Sequence, residues 1–283
     1  MIPQQNLSRL SNRLAKQGGR RIPESVLERD YCLTWFLVAL SRTPLRQRLA
    51  FKGGTALKLC YFGEYRFSED LDFTLLKETP FETIQRELDL VFSEAQRAAG
   101  IPFRFARQDR HPHANSHTFY LGYEGPLPAT AAGKEVKVDI TIRERLVFPL
   151  VDQPVLRSYS EYADVPTHAK VRAYSLEEIA AEKLVALMDR ARNEPRDLYD
   201  AWYLLTRRHV DLDQLTRAVK EKWDFRGKSL SEVTGEFSLK EAYYGKLWAV
   251  RLAAQMIQLP EFDMVFRAVK RAFRQASLSG KKQ

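Results

Sequence analysis

The chain has 283 residues with 45 Lys and Arg against 36 Asp and Glu, a formal net charge of +9, and is 45% hydrophobic and 29% charged. These are ordinary proportions for a globular protein and allow one large or two modest domains with a sizeable core. No uncharged apolar run of about 18 residues occurs and the first 21 residues lack an apolar signal core, so a membrane-spanning helix is excluded and a cytoplasmic protein is expected.

The positive charge is concentrated at the ends. Five basic residues precede Glu24 and six follow Asp263, with no acid among them. Setting these eleven aside leaves 34 basic against 36 acidic residues, a body of about −2. Basic ends suit a polyanionic partner through counterion release, and suit equally well the solvated ends of a neutral enzyme. Cys32 and Cys60 both lie in apolar context and read as buried free thiols rather than a disulfide framework or zinc site.

Taken in order, residues 1–21 read as a polar, loose lead, and residues 22–41 as a largely buried helix. Residues 49–51 form a short apolar strand that delivers Gly53 and Gly54. A helix over 55–61 follows, Gly63 breaks it, and residues 71–75 form the next strand. Side chains alternate along a strand, so Asp70 and Asp72 point one way while Leu71 and Phe73 point the other. Two carboxylates side by side are costly unless a cation lies between them, and Mg²⁺ is bound by carboxylate oxygens together with substrate phosphates. The amides that open a helix after Gly53-Gly54 are free donors that favour anions. The stretch 51–74 therefore offers a metal clamp and a phosphate cradle. Each half alone is more often a solvated strand edge or a tight turn.

Residues 80–99 carry apolar positions at amphipathic-helix spacing, closed by Gly100. Strands are expected at 103–106, 117–123 and 135–142, with 125–133 as a connecting loop. In the last of these, Val136, Val138, Ile140 and Ile142 share one face, and Lys137, Asp139 and Thr141 share the other; a half-buried strand accounts for this in full. His111, His113 and His117 cluster in a loop-like setting without the ordered spacing of a metal site. No P-loop pattern is present.

From about residue 174 the pattern is helical. Ser175 is a credible N-cap with Glu178 as its capping-box partner, and Lys183 lies at the edge of the apolar stripe that follows, where an ammonium either meets an anion or snorkels to solvent. A helix opens at Pro195 with Asp197 in its first turn, where the helix dipole favours an acid. Three more helices, at 212–223, 239–257 and 261–276, complete a bundle in which Trp223, Tyr243, Tyr244 and Trp248 read as core.

Lys52-Gly53-Gly54-Thr55-Ala56-Leu57 followed by Arg66-Phe67-Ser68-Glu69-Asp70-Leu71-Asp72-Phe73 resembles the signature of the AbiEii/AbiGii toxin family, MenT-like nucleotidyltransferases with a polymerase β-like fold. Glu178 to Leu184, Arg190, and Arg196-Asp197-Leu198-Tyr199-Asp200 resemble its second block. The resemblance implies an α+β fold: a nucleotidyltransferase core with a mixed sheet over 1–172, then a C-terminal helical bundle over 173–283 that completes the active site. It implies a metal centre of Asp70, Asp72 and Asp139 holding Mg²⁺ or Mn²⁺. NTP phosphates would be bound by Lys52, Gly53, Gly54, Thr55, Arg66, Ser68 and Lys183, and Asp197 would contribute an acid, with Asp200 as an alternative. Ser68 would also be a point at which modification could silence the enzyme. The implied activity is that of a type IV toxin–antitoxin system toxin, transferring nucleotides to RNA at the tRNA 3′ acceptor end and opposed by an AbiEi-like or other antitoxin. A nucleotidyltransferase acting on a protein or small molecule, or an inactive RNA- or partner-binding member of the fold, are the alternatives.

Overall fold

Leu49, Ala50 and Phe51 are buried in succession, the mark of a strand covered on both sides. In the computed structural model, which describes residues 1–18, 20–110, 114–131, 133–207, 210–233, 235–276 and 278, that strand lies inside a seven-stranded mixed sheet. The chain divides into two compact units. The first comprises Met1–Glu144, Leu150–Ala173 and Gln255–Ile257; the second comprises Arg145–Pro149, Tyr174–Ala254 and Gln258–Gln283.

In the first unit, helices α1 (Gln4–Gly18) and α2 (Glu24–Leu40) precede β1 (Leu49–Lys52). The loose lead expected at 1–21 is instead helix α1, because Leu7, Leu10 and Leu14 fall on one stripe and are buried. Arg13 fixes that helix through a two-pronged pair with Glu161 at 2.8 and 2.7 Å. After β1 comes α3 (Gly53–Ala56), continued by a π-helical turn (Leu57–Phe62) that Gly63 ends at φ 62°. Then follow β2 (Leu71–Leu75), α4 (Phe81–Ala99), β3 (Phe103–Gln108), β4 (Ser116–Tyr123), β5 (Glu135–Thr141), β6 (Leu150–Pro154) and β7 (Lys170–Tyr174).

The sheet order is β3-β4-β5-β2-β1-β7-β6. β1 runs antiparallel to β2 and parallel to β7, β2 is parallel to β5, and β3, β4 and β5 form an antiparallel meander. The core lies on the face that carries Phe73, Val136, Val138, Ile140, Phe119 and Leu121, all buried. Strands β6 and β7 fall in a stretch for which the sequence suggested no element; β6 is partly or fully exposed along its whole length and so has no readable alternation. His117 packs on the Phe81 ring at 4.8 Å, where burial lowers its pKa, while His111 and His113 lie outside the described residues. Cys32 and Cys60 are buried and unbonded.

The second unit is helical: α5 (Leu176–Met188), α6 (Pro195–Arg207), α7 (Leu212–Phe225), α8 (Leu230–Val233), α9 (Glu241–Leu252) and α10 (Phe262–Gln275). The helix expected over 239–257 is shorter, ending at Leu252. Trp223, Tyr244 and Trp248 are core as expected, and Phe237 stacks on Phe266 and Phe273 at 4.8 and 4.7 Å. Tyr243 is not core; it is 49% exposed. Ser175 caps α5 by accepting from the Glu178 amide at 3.2 Å, but the Glu178 carboxylate does not return to close a capping box. It pairs instead with the fully buried Lys222 at 2.7 Å and accepts from the Val147 and Phe148 amides.

Candidate active site

The first unit gathers the acids of the amino-terminal signature through strand register. Asp72 on β2 is the Cα partner of Asp139 on β5 on one side and of Lys52 on β1 on the other. Residues paired in this way project to the same face of the sheet, roughly 5 Å apart, and Asp70 stands immediately before the first residue of β2. Asp72, Asp139 and Asp70 are all half-buried, whereas Leu71 and Phe73 are buried in the opposite face. Lys137 reaches Asp139 at 3.7 Å along the same strand face.

The glycine turn packs against this face. Gly53 has φ 76°, and a Cβ placed there would lie 2.5 Å from an Asp72 carboxylate oxygen. Both the backbone conformation and the close approach therefore demand glycine. Thr55 is buried; its hydroxyl bonds with the Ser68 hydroxyl at 2.7 Å and donates to the Asp70 carbonyl at 2.5 Å. The turn, Ser68 and the start of β2 are thus one connected piece. Arg66 is buried, its guanidinium donating to the Phe67 carbonyl at 3.3 Å.

Behind the turn lies a group that sequence reading missed. Lys58, on the π-helical turn, is fully buried 3.8 Å from Asp30 of α2, donates to Tyr159 Oη at 3.1 Å and to the Gly63 carbonyl, and lies over the Phe67 and Tyr159 rings. Burial lowers the Lys58 pKa and raises that of Asp30, with each charge opposing the shift of the other. The cluster fastens both the end of the helix and the loop that returns to Ser68.

In the second unit, Lys183 is 7% exposed and does not snorkel. Its ammonium sits 2.6 Å from Asp197 and 2.9 Å from Asp200, which settles both acids of α6 around the lysine of α5. Arg192, also unforeseen, donates to the other Asp197 oxygen at 2.6 Å. Burial works against the Asp197 charge, but Lys183 and Arg192 outweigh it and hold the carboxyl well below its usual range. Lys240 completes the arrangement by donating to the Asp189 and Arg192 carbonyls at 2.6 and 2.7 Å.

Among the described residues, no three His, Cys, Asp or Glu side chains are drawn into a finished metal cluster. Two carboxylates, Asp72 and Asp139, stand in direct register on neighbouring strands, with the Gly53 backbone against Asp72. Among the same residues, no helix is long and apolar enough to cross a membrane.

Residues 35–276 match the family model described as nucleotidyl transferase AbiEii toxin, type IV TA system. The chain belongs to the AbiEii nucleotidyltransferase toxin family. MenT4, a nucleotidyltransferase toxin from Mycobacterium tuberculosis, is similar in structure with a TM-score of 0.63 at 21% identity, over 94% of this chain and 89% of that one. JHP933 from Helicobacter pylori is similar with a TM-score of 0.54 at 22% identity, over 90% of this chain and 93% of that one. At these identities the likeness establishes the shared fold: a mixed sheet with helices, as in a MenT nucleotidyltransferase toxin. No protein with a curated description matches the chain. Membership in AbiEii identifies the protein as a nucleotidyltransferase-family toxin, and the type IV setting implies a nucleotide substrate and an antitoxin partner.

Proposed function

We propose that this AbiEii member transfers a nucleotide from an NTP to the 3′ end of an RNA acceptor, tRNA foremost, in a reaction that depends on Mg²⁺ or Mn²⁺ and takes place in the cytoplasm. The observation that carries the reading is the register of Asp72 with Asp139, flanked by Asp70 and backed by the Gly53 turn.

Asp70, Asp72 and Asp139 would hold the cation. When bound, such an ion neutralises phosphate charge and lowers the pKa of an acceptor hydroxyl. The chain's own groups do the rest. The amides of Gly53, Gly54 and Thr55, which open α3, would offer donors to phosphate oxygens. Lys52, in register with Asp72, offers a cation on the same face, and Arg66 supports the loop on which Ser68 sits. The Ser68 hydroxyl, bonded to that of Thr55, would bond a phosphate or be modified by a partner that silences the toxin. We assign Lys183 to nucleotide phosphate and Asp197, with Asp200 beside it, to holding that lysine charged and in place; their buried ion-paired triad supports the assignment.

The experiment is incubation of the protein with each labelled NTP, total RNA and Mg²⁺, followed by sequencing of RNA 3′ ends. Added 3′ nucleotides on tRNA that vanish in Asp72→Ala are the expected result. Label that persists in Asp72→Ala would dismiss the site, and label confined to polypeptide would dismiss the acceptor.

A further inference from the structure

On the transfer reading above, an RNA end has to reach Asp139 and Asp72, and the sheet face on which they stand extends toward the edge strand β3. The next pairs outward are defined by register. Asp139 faces Thr118 on β4; one step along, Lys137 faces Tyr120, which faces Arg107 on β3; one step further, Glu135 faces Gly122, which faces Arg104. A bulge between Phe105 and Arg107 shifts β3 so that Arg107, rather than Ala106, joins Arg104 on this side. The bulge is what brings both arginines onto one face.

Their guanidinium groups lie close over the residues they face. Arg107 sits 3.5 Å above the centre of the Tyr120 ring, and its ion pair with Glu135, at 2.9 Å, is an exposed one that contributes little. Arg104 lies across Gly122, where a Cβ would meet its guanidinium carbon at 2.9 Å, so the glycine is what lets it lie down. Among the described residues no carboxylate pairs with Arg104. The side chains of Lys137 and Asp139 are 38% and 31% exposed, so the strip stays accessible along β5 up to Asp139, with Thr118 buried beside it on β4. None of the exposed large hydrophobic side chains belongs to it.

That composition argues for a nucleic-acid occupant and against a protein one. The core of a protein interface is depleted of charge, whereas this strip sets three cations around one tyrosine, and unpaired bases stack on guanidinium planes and tyrosine rings while their phosphates meet Arg and Lys. The geometry points to the strip Arg104, Arg107, Tyr120 and Lys137 as the surface that binds the single-stranded 3′ end of the RNA acceptor and leads it to Asp139. Stacking rather than base-edge reading makes the surface tolerant of sequence, and it places acceptor binding on residues separate from those that meet the NTP.

The test uses the full-length protein, a fluorescent tRNA transcript with an unpaired 3′ end, and transfer kinetics with NTP and RNA varied in turn. In the Arg104→Ala, Arg107→Ala double variant, RNA affinity should fall about tenfold, the scale of one lost stacked base. The slope of log affinity against log salt should shrink by about 0.7 for each arginine that meets a phosphate. The KM for RNA should rise in step while the KM for the NTP holds. Arg107→Lys, which keeps the charge and loses the plane, should retain the salt slope and still bind more weakly. Both arginines are exposed, so the variants should melt with the parent. RNA affinity and KM unchanged in the double variant and in Tyr120→Ala, while the parent still extends RNA, would overturn the surface and leave the transfer reading standing. A parent protein that labels only polypeptide or a small molecule would overturn both.

Discussion

Asp72 and Asp139 are direct cross-strand partners on parallel neighbours β2 and β5, the closest arrangement the sheet allows for two side chains from segments 67 residues apart in sequence. Lys137 meets Asp139 at 3.7 Å and Lys52 is in register with Asp72, and a divalent ion bound by the two carboxylates would add to that compensation. Mg²⁺ should therefore raise the melting temperature of the parent protein by several degrees, since a ligand bound only by the folded state stabilises it by mass action. Asp72→Asn should abolish that rise. Differential scanning fluorimetry with and without Mg²⁺ checks this without reference to activity.

Gly53→Ala should be costly twice over. The left-handed backbone costs an L-residue about 1–2 kcal/mol, and the new methyl group would displace the Asp72 carboxylate, which lies 2.5 Å from its position. The expected outcome is a modest loss in urea stability with a far larger loss of transfer. Gly100→Ala is the control: its φ is also positive, but a Cβ there meets nothing within 4 Å, so it should lose stability alone.

Lys183 supports two buried carboxylates, and removing one partner of a buried ion pair leaves the other charge uncompensated. Lys183→Met should destabilise the fold by about 3–5 kcal/mol. The pH dependence gives a second readout. The Asp197 pKa lies below its unfolded value near 3.8, so the pair's contribution is fully present above that value and is lost as pH falls below it toward the depressed folded pKa. The parent should thus lose stability steeply below about pH 4, and Lys183→Met should lose less over the same range. Chemical denaturation at pH 3, 4 and 7 compares the two.

Lys58→Met, which strips the counter-charge from buried Asp30, should likewise cost about 3–5 kcal/mol, and adding Asp30→Asn should recover part of the loss. A double-mutant cycle in urea measures the coupling. If the two single losses simply add, Lys58 and Asp30 act independently.

What the sequence displayed was whatever depends on neighbours along the chain. The Gly-Gly turn, the strand at 71–75 that carries Asp72, the clean two-residue period of β5 and the cap at Ser175 are all local, and each appears in the structure, whereas Asp70 falls just outside its strand. The register of Asp72 with Asp139 was not readable, because it depends on which strands become neighbours. Lys58 and Asp30 are 28 residues apart on different elements, and nothing near either announces the other. Arg192 lies in the turn between α5 and α6, where an arginine is ordinarily solvated. Helix α1 escaped notice because its three buried leucines stand among polar residues, although their spacing of three and four was a signal that could have been used.

We propose that Asp70, Asp72 and Asp139 act as one carboxylate centre for nucleotidyl transfer. The most direct measurement is the rate of nucleotide addition to tRNA, with Mg²⁺ varied, for the parent and for Asp70→Asn, Asp72→Asn and Asp139→Asn, each first shown to be folded. The expected result is Mg²⁺-dependent addition by the parent and a loss of at least about a hundredfold in all three variants, the scale on which electrostatic stabilisation is lost when one positioned group is removed. An Asp139→Asn protein that adds nucleotides at the parent rate with the parent's Mg²⁺ dependence would contradict it.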